Sequence, residues 1–236
     1  VGNIRIKVFK FMLGLLPFNL CQSIEKRYFH NQFKKNKFVS SEIEFFELGR
    51  WINKGDCCLD IGANVGRYTL KMAELTGVDG HVFSFEPLPE IHEILTYMIR
   101  KSHFKNITAF NCAVGDEVSM VAIEQSGLIN KDTVLFDTYT SSSVSNNGVL
   151  NTLCLPIDNL DIPMTVALVK VDVEGYELQV LKGMSKLIER DHPMFIVESN
   201  SESNREFLFS KGYKSLPLNG ADRNEVFVYS EKLSCM

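Results

Sequence analysis

Short apolar segments that each close on an acid, with a helical segment after each, constrain this chain more than any other feature. Cys57-Cys58-Leu59-Asp60-Ile61 leads through a Gly-rich turn into a helix over Val65–Leu75. His81–Glu86 leads into a helix that Pro87 can begin and that runs to Ser102. Val166–Asp172 precedes a helix over Tyr176–Glu189, and Met194–Glu198 precedes one over Arg205–Ser210. Asn106–Asn111, Val118–Glu124 and Glu225–Tyr229 are further β segments. Alternating strands and helices with apolar strand interiors predict an α/β fold with a parallel sheet covered by helices on both faces. Ligands in such sheets bind beyond the carboxyl ends of the strands. The acids that close the strands are therefore the residues to inspect.

Residues 1–54 read as helical. Ser40-Ser41-Glu42 offers an N-cap, and Ile43, Phe46, Leu48, Trp51 and Ile52 give the next helix an apolar face. The chain divides into an N-terminal helical extension over 1–40 and a domain over 41–236. Its 236 residues suit one domain with such an extension, and the 45% hydrophobic content is that of a globular chain. A formal charge of −4 and a pI near 5.8 argue against a whole-surface nucleic-acid binder, and no nucleic-acid partner is expected. Arg5, Lys7 and Lys10 precede the apolar run Phe11–Leu16, but no small-residue cleavage site follows, and Pro17 and Asn19 interrupt the run. The run is far short of the ~20 residues that span a bilayer. Two readings stay open: an amphipathic helix packed on the domain, and a basic helix making peripheral membrane contact through residues 1–20. The six cysteines are scattered without CxxC or zinc spacing, which favours reduced thiols and a cytoplasmic location.

Asp60-Ile61-Gly62-Ala63-Asn64-Val65-Gly66 is the strongest local signal. Gly62 permits a tight turn close to a ligand, and Gly66 permits close packing of the following helix. Loop amides and the helix N-terminus are expected to face the ligand. The loop is not a phosphate-binding GxxxxGK[ST], and Asn64 stands where a dinucleotide fingerprint needs its second Gly. Asp60 can accept hydrogen bonds from a ligand ammonium. Glu86, 20 residues after Gly66, can accept from both hydroxyls of a ribose. Together they describe a nucleoside that carries an amino-acid end. The small residues of Asn111-Cys112-Ala113-Val114-Gly115-Asp116 would leave room for a flat base; the alternative is a plain Gly-Asp turn. Lys170 is unusual inside an apolar strand, and a buried lysine needs partners. It forms with Asp172 and Glu174 either an ion-pair brace or a site where the two acids position or deprotonate a hydroxyl, with Glu198 facing the same region. Carboxylates suit magnesium or calcium, but no defined ligand spacing is visible, so a metal is left open. His192 precedes its strand and reads as structural. Thr138–Asn147 reads as a surface loop or an active-site lid.

Cys58–Gly66, Phe83-Ser84-Phe85-Glu86-Pro87, Ala113-Val114-Gly115-Asp116 and Val169-Lys170-Val171-Asp172-Val173-Glu174-Gly175-Tyr176-Glu177 occur in this order. In these motifs the chain resembles the FkbM family of S-adenosylmethionine-dependent methyltransferases, from about Glu42 to Glu198. The resemblance implies a class I (Rossmann-like) methyltransferase fold: a seven-stranded, mainly parallel sheet with one antiparallel strand near an edge. By carry-over the Gly62–Gly66 loop, Asn64 included, would hold the methionine part of S-adenosyl-L-methionine. Glu86 would hold the ribose, and Cys112 and Ala113 would border the adenine. Family members typically methylate hydroxyls, often on sugars or polyketide-like products. The expected activity is O-methylation of a glycan or related small metabolite, with Asp172, Glu174 and Glu198 as the catalytic acids. Two alternatives stand beside it: a non-catalytic cofactor-binding or partner-binding subunit, and an NAD-linked oxidoreductase. The missing second Gly and the Asp172–Glu177 segment count against the latter.

Overall fold

The computed structural model describes residues 18–125, 142–144, 148, 150–198, 201–218 and 223–232. Helices α1 (Phe18–Lys34) and α2 (Ile43–Trp51) precede strand β1 (Cys57–Ile61), helix α3 (Arg67–Thr76), strand β2 (His81–Phe85), helix α4 (Pro89–Ser102) and strand β3 (Ile107–Phe110). Strands β4 (Ala113–Val114), β5 (Ser119–Gln125), β6 (Ser142–Val144) and β7 (Leu150–Leu155) follow. The chain then forms strand β8 (Val166–Val171), helices α5 (Glu177–Lys182) and α6 (Ser185–Asp191), strand β9 (Met194–Glu198), helix α7 (Glu202–Ser210) and strands β10 (Tyr213–Leu216) and β11 (Asn224–Tyr229).

The main sheet has seven strands in the order β10-β11-β9-β8-β1-β2-β3. Only β11 runs against its neighbours, pairing antiparallel with β9 and β10. The expected mainly parallel sheet with one antiparallel strand near an edge is present. From β1 the chain winds one way through β2 and β3, and later the other way through β8 and β9. The order reverses between β1 and β8, which opens a crevice at their carboxyl ends.

Strand β1 is buried along its whole length because helices cover both faces. Leu59, Ile61, Val169, Val171 and Phe195 face one layer, with Val180 and Leu181 of α5, Ile188 of α6 and Leu208 of α7. Cys58, Val82, Leu168 and Ile196 face the other, with Phe45 and Leu48 of α2 and Met72 of α3. A third cluster joins α1 to the domain: Phe29 and Phe38 pack with Leu88, Ile91, Ile94 and Met98. Across the middle of the sheet runs one polar row, in which Asp60 pairs in register with Ser84 on β2 and Lys170 on β8.

Several local expectations change. In α2 it is Phe45 that packs inward, while Phe46 is 62% exposed. The α4 helix begins at Pro89, because the Leu88 N–H is taken by the Glu86 carboxylate. The helix expected over Tyr176–Glu189 is two helices. The Asp158 carboxylate accepts the N–H groups of Lys186 and Leu187 and so starts α6 afresh. Strands β4, β6, β7 and β10 were not expected. β4, β7, β5 and β6 form a second, four-stranded sheet. Within the Thr138–Asn147 stretch, Ser142–Val144 is strand, paired with β5, rather than loop. Its flanking residues lie outside the described residues, as do residues 1–17 and the two readings of the N-terminal run. Cys21, Cys57, Cys58, Cys112 and Cys154 are buried free thiols. Burial pushes the Cys57 thiol up to about 12. His192 stacks on Tyr229 at 3.9 Å, a packing role. Among the described residues no helix is long and apolar enough to cross a membrane.

Candidate active site

The crevice between β1 and β8 is a pocket lined by the loop after β1, the end of β2, the segment leading into β4, the acids after β8 and the acid that ends β9. Asp60 is fully buried on its floor. Its Oδ2 accepts the Thr69 hydroxyl of α3 at 2.5 Å, while Oδ1 is buried with no partner among the described residues. Burial pushes its carboxyl up, opposed by the Lys170 ammonium and the Thr69 bond. An unpartnered carboxylate oxygen at the floor of a pocket suits a cationic ligand group.

The loop itself behaves differently from the sequence expectation. All five N–H groups from Gly62 to Gly66 are spent inside the protein. Gly62 and Ala63 donate to the Phe85 carbonyl, and Gly66 to the Ala63 carbonyl. Asn64 donates to Glu86 Oε2 at 2.9 Å, and Val65 to the Asn64 side chain. The loop therefore offers a ligand its shape and side chains, not a cradle of free amides. Gly62 is required by packing as well as by its φ of +81°. A Cβ there would lie 1.8 Å from the Asp172 carbonyl oxygen, where the turns after β1 and β8 touch. Gly66, φ +93°, faces Leu95 of α4, and it is the one predicted site residue that does not line the pocket.

Glu86 is 4% exposed at the end of β2. Its two oxygens accept the Asn64 and Leu88 N–H groups at 2.9 and 3.0 Å. Burial pushes it up to about 7, against those two bonds. Each oxygen keeps a lone pair, so the carboxylate is fixed in place and can still accept two hydroxyls. Cys112 and Ala113 line the same pocket as small buried side chains.

On the other side stands a charge network. Lys170 is 2% exposed, and its Nζ lies 2.5 Å from Asp172 Oδ2 and 4.6 Å from the centre of the Tyr68 ring. Burial alone would lower the lysine; the Asp172 and Asp60 carboxylates outweigh it and hold the ammonium above its ordinary range. Burial likewise works against Asp172, but Lys170 and a hydrogen bond from Glu198 hold it below the usual range. Glu198 gives the proton of that bond and is pushed up to about 9 by it and by burial. Glu174 lies beside them, with carboxylate oxygens of the three acids within 4.8 Å of one another. Burial pushes Glu174 up, with the Asp172 and Glu177 charges adding to it. Its φ is +52° and that of Gly175 is +96°. The Glu177 carboxylate accepts the Gly175 N–H at 2.8 Å and holds this turn. Strained backbone of this kind persists only where its surroundings enforce it.

Asp60, Gly62, Asn64, Glu86, Cys112, Ala113, Asp172, Glu174 and Glu198 thus all line one pocket. Among the wall residues that sequence reasoning missed are Ser40, Glu42, Arg67, Tyr68 and Arg223. Glu42 Oε2 accepts Ser40 Oγ at 2.6 Å and the Tyr68 hydroxyl at 2.8 Å. Arg223 lies 4.0 Å from Glu198. Glu42 read as part of a helix start and Tyr68 as part of a helix face, so nothing local marked either.

A family model described as the methyltransferase FkbM domain matches residues 60–216. A hexuronic acid methyltransferase, AglP, of Haloferax volcanii is 26% identical over 137 residues, 57% of this chain and 52% of that protein. A protein-L-isoaspartate O-methyltransferase of Ignicoccus hospitalis is 35% identical over 78 residues, 33% of this chain and 34% of that protein. The chain thus spans a third to about half of these curated relatives. The crystal structure of methyltransferase FkbM from Methylobacillus flagellatus superposes with a TM-score of 0.57 at 18% identity, covering 97% of this chain and 60% of that one. It has the same class I fold. The match from Asp60 through Leu216 takes in the loop after β1, Glu86 and the three acids, and the chain belongs to the FkbM methyltransferase domain family.

Proposed function

We propose that this chain is an S-adenosylmethionine-dependent O-methyltransferase whose acceptor is a hydroxyl of a glycan or related small metabolite. One observation carries the reading: a pocket with an unpartnered buried carboxylate oxygen and a fixed ribose-type acceptor on one side holds three converging acids on the other. S-adenosylmethionine supplies, when bound, a methyl group on a sulfonium. Asp60 would receive its ammonium end, Glu86 its ribose hydroxyls, and Cys112 and Ala113 would border its base. The donor set fits: anionic acceptors meet the cation and the diol, and small side chains meet the flat ring.

The remaining chemistry belongs to the chain. A hydroxyl is a poor nucleophile while protonated, so a base within reach speeds its attack. Glu174, which burial raises, is the acid better matched to take that proton, while Asp172, held ionised by Lys170, can fix the hydroxyl by accepting its hydrogen bond. Protonated Glu198 can donate a hydrogen bond to a neighbouring acceptor oxygen, and Glu174 can accept one. A group that both gives and takes hydrogen bonds suits a polyol. The name of the Haloferax relative, a hexuronic acid methyltransferase, supports a sugar acceptor. Three acids converging in the pocket favour this reading over a merely cofactor-binding subunit.

Titration calorimetry with S-adenosylhomocysteine tests the donor side. Binding by the wild type that Glu86→Ala weakens is expected; no binding by the wild type overturns the reading. Mass spectrometry of sugar and metabolite pools incubated with the protein and a methyl-labelled donor tests the acceptor. Label on a sugar hydroxyl is expected. Label confined to protein carboxyls would overturn the glycan assignment.

A further inference from the structure

The formal charge of −4 hides a strong segregation. The first 37 residues hold eight of the 25 lysines and arginines and, with Glu25, one of the 29 acids. Glu25 is buried. No acid occurs between Lys26 and Lys37, and none between Ile94 and Gly115. The fold brings these two acid-free stretches together, because α1 packs along α4, tied by Lys26 to Glu93 at 2.5 Å. The basic side chains Lys34, Lys35, Lys37, Arg100, Lys101 and Lys105 are all exposed at this end of the two helices. Their field is felt locally. His30 of α1 is held below its ordinary range, first by burial and then by Lys34, Lys101 and His103.

In sequence α1 follows Arg5, Lys7, Phe9, Lys10, Phe11, Leu13, Leu15 and Leu16, a stretch that mixes cations with apolar side chains. Leu20 at the start of α1 is 46% exposed. A polyanion in water gains nothing from such side chains, whereas a bilayer interface accepts both them and the cations.

We propose that the exposed basic face of α1 and α4 docks the protein on an anionic lipid bilayer. The dock lies at the end of α4 that runs into β3, away from the carboxyl ends of the strands where the pocket opens. The proposal does not depend on the methyl-transfer reading, since it concerns a different surface and a different readout.

Co-sedimentation of the full 236-residue chain with phosphatidylcholine vesicles, with and without phosphatidylglycerol, tests it. Binding is expected only to the phosphatidylglycerol-containing vesicles, and it should weaken as salt is raised. Each lysine against an anionic surface is worth about a fivefold change in partition, so Lys34→Glu/Lys101→Glu should bind at least ~10-fold more weakly. Lys214→Glu, on the exposed edge strand β10 at the far side of the sheet, should bind like the wild type. Equal sedimentation with both vesicle types, an effect of Lys214→Glu as large as that of the double variant, or tighter binding to double-stranded DNA than to the anionic vesicles would each overturn the proposal. If the double variant does not fold, the lipid and salt dependence of the wild type decide.

Discussion

Replacing Lys170 by methionine removes the one cation that the polar row of the sheet is built around. Met fills much of the same volume, so the loss is mainly electrostatic. Asp60 would be left fully buried without its lysine counter-charge, and Asp172, whose side chain is 28% exposed, would keep only the more distant Arg223. Breaking a buried pair by removing one partner costs about 3–5 kcal/mol. At roughly 2–4 °C per kcal/mol for a chain of this size, the midpoint of thermal unfolding should fall by about 6–20 °C near pH 7. The deficit should depend on pH, with a definite sign. In the wild type Asp172 is held below its unfolded value of 3.8, so its contribution is present above that pH and lost as pH falls through the lower folded value. Lys170 is held above 10.5, so its contribution is full below that pH and lost as pH rises through the folded value. In the variant the lysine no longer opposes burial, the carboxyls move up, and protonating them relieves the cost. The difference between the two proteins should therefore be largest near neutrality and shrink toward about pH 4. Thermal unfolding followed by circular dichroism at a series of pH values reads this directly. A deficit under about 1 kcal/mol, or one equally large at acid and neutral pH, would refute the electrostatic account of Lys170.

Glu86→Gln keeps one acceptor for the Asn64 or Leu88 N–H but turns an NH₂ toward the other; calorimetry should show S-adenosylhomocysteine binding weakened by about 10–100-fold, a loss of ~1.5–3 kcal/mol. A change under about threefold would remove Glu86 from the ribose site. Gly62→Ala should cost more than ~3 kcal/mol in urea unfolding, because both φ and the Asp172 carbonyl oppose the Cβ. Gly175→Ala, also at positive φ but with nothing within 4 Å, should cost only ~1–2 kcal/mol; equal costs would contradict the close-approach argument. Glu198 is raised to about 9, so it adds stability below its unfolded 4.5 that is lost as pH rises toward 9. Glu198→Gln should flatten that decline in unfolding midpoint between these pH values, and an unchanged slope would show that another group carries it.

Much of the fold was legible because its signals are local. Strands β1, β2, β8 and β9 each combine an apolar run with an acid at or next to the end, and the turn residues Gly62 and Gly66 follow β1 within a few positions. The second sheet was not legible. Strands β5 and β7 pair across residues far apart in sequence, and Ser142–Val144 carries the composition of a loop. The break between α5 and α6 was invisible for a related reason, since the cap comes from Asp158, 28 residues upstream of Lys186. Phe45 and Phe46 are neighbours with the same side chain, and only packing against Tyr68 decides which turns inward.

The sequence by itself determined the class of fold, the family resemblance and the identity of the acids at the strand ends. These depend on residue order along single strands and turns, where chemistry and geometry are set within a few residues. What each acid does was decided only in three dimensions. Glu86 is fixed by the Asn64 N–H, one of the loop amides expected to face a ligand, and by the Leu88 N–H. Asp172 is held ionised because Lys170, two residues earlier on the same strand, is buried beside it and packed over Tyr68. Glu198 keeps its proton because a strand crossover sets it against Asp172. Ionisation in a buried pocket is set by neighbours within a few ångströms, and parallel strands draw those neighbours from distant parts of the chain.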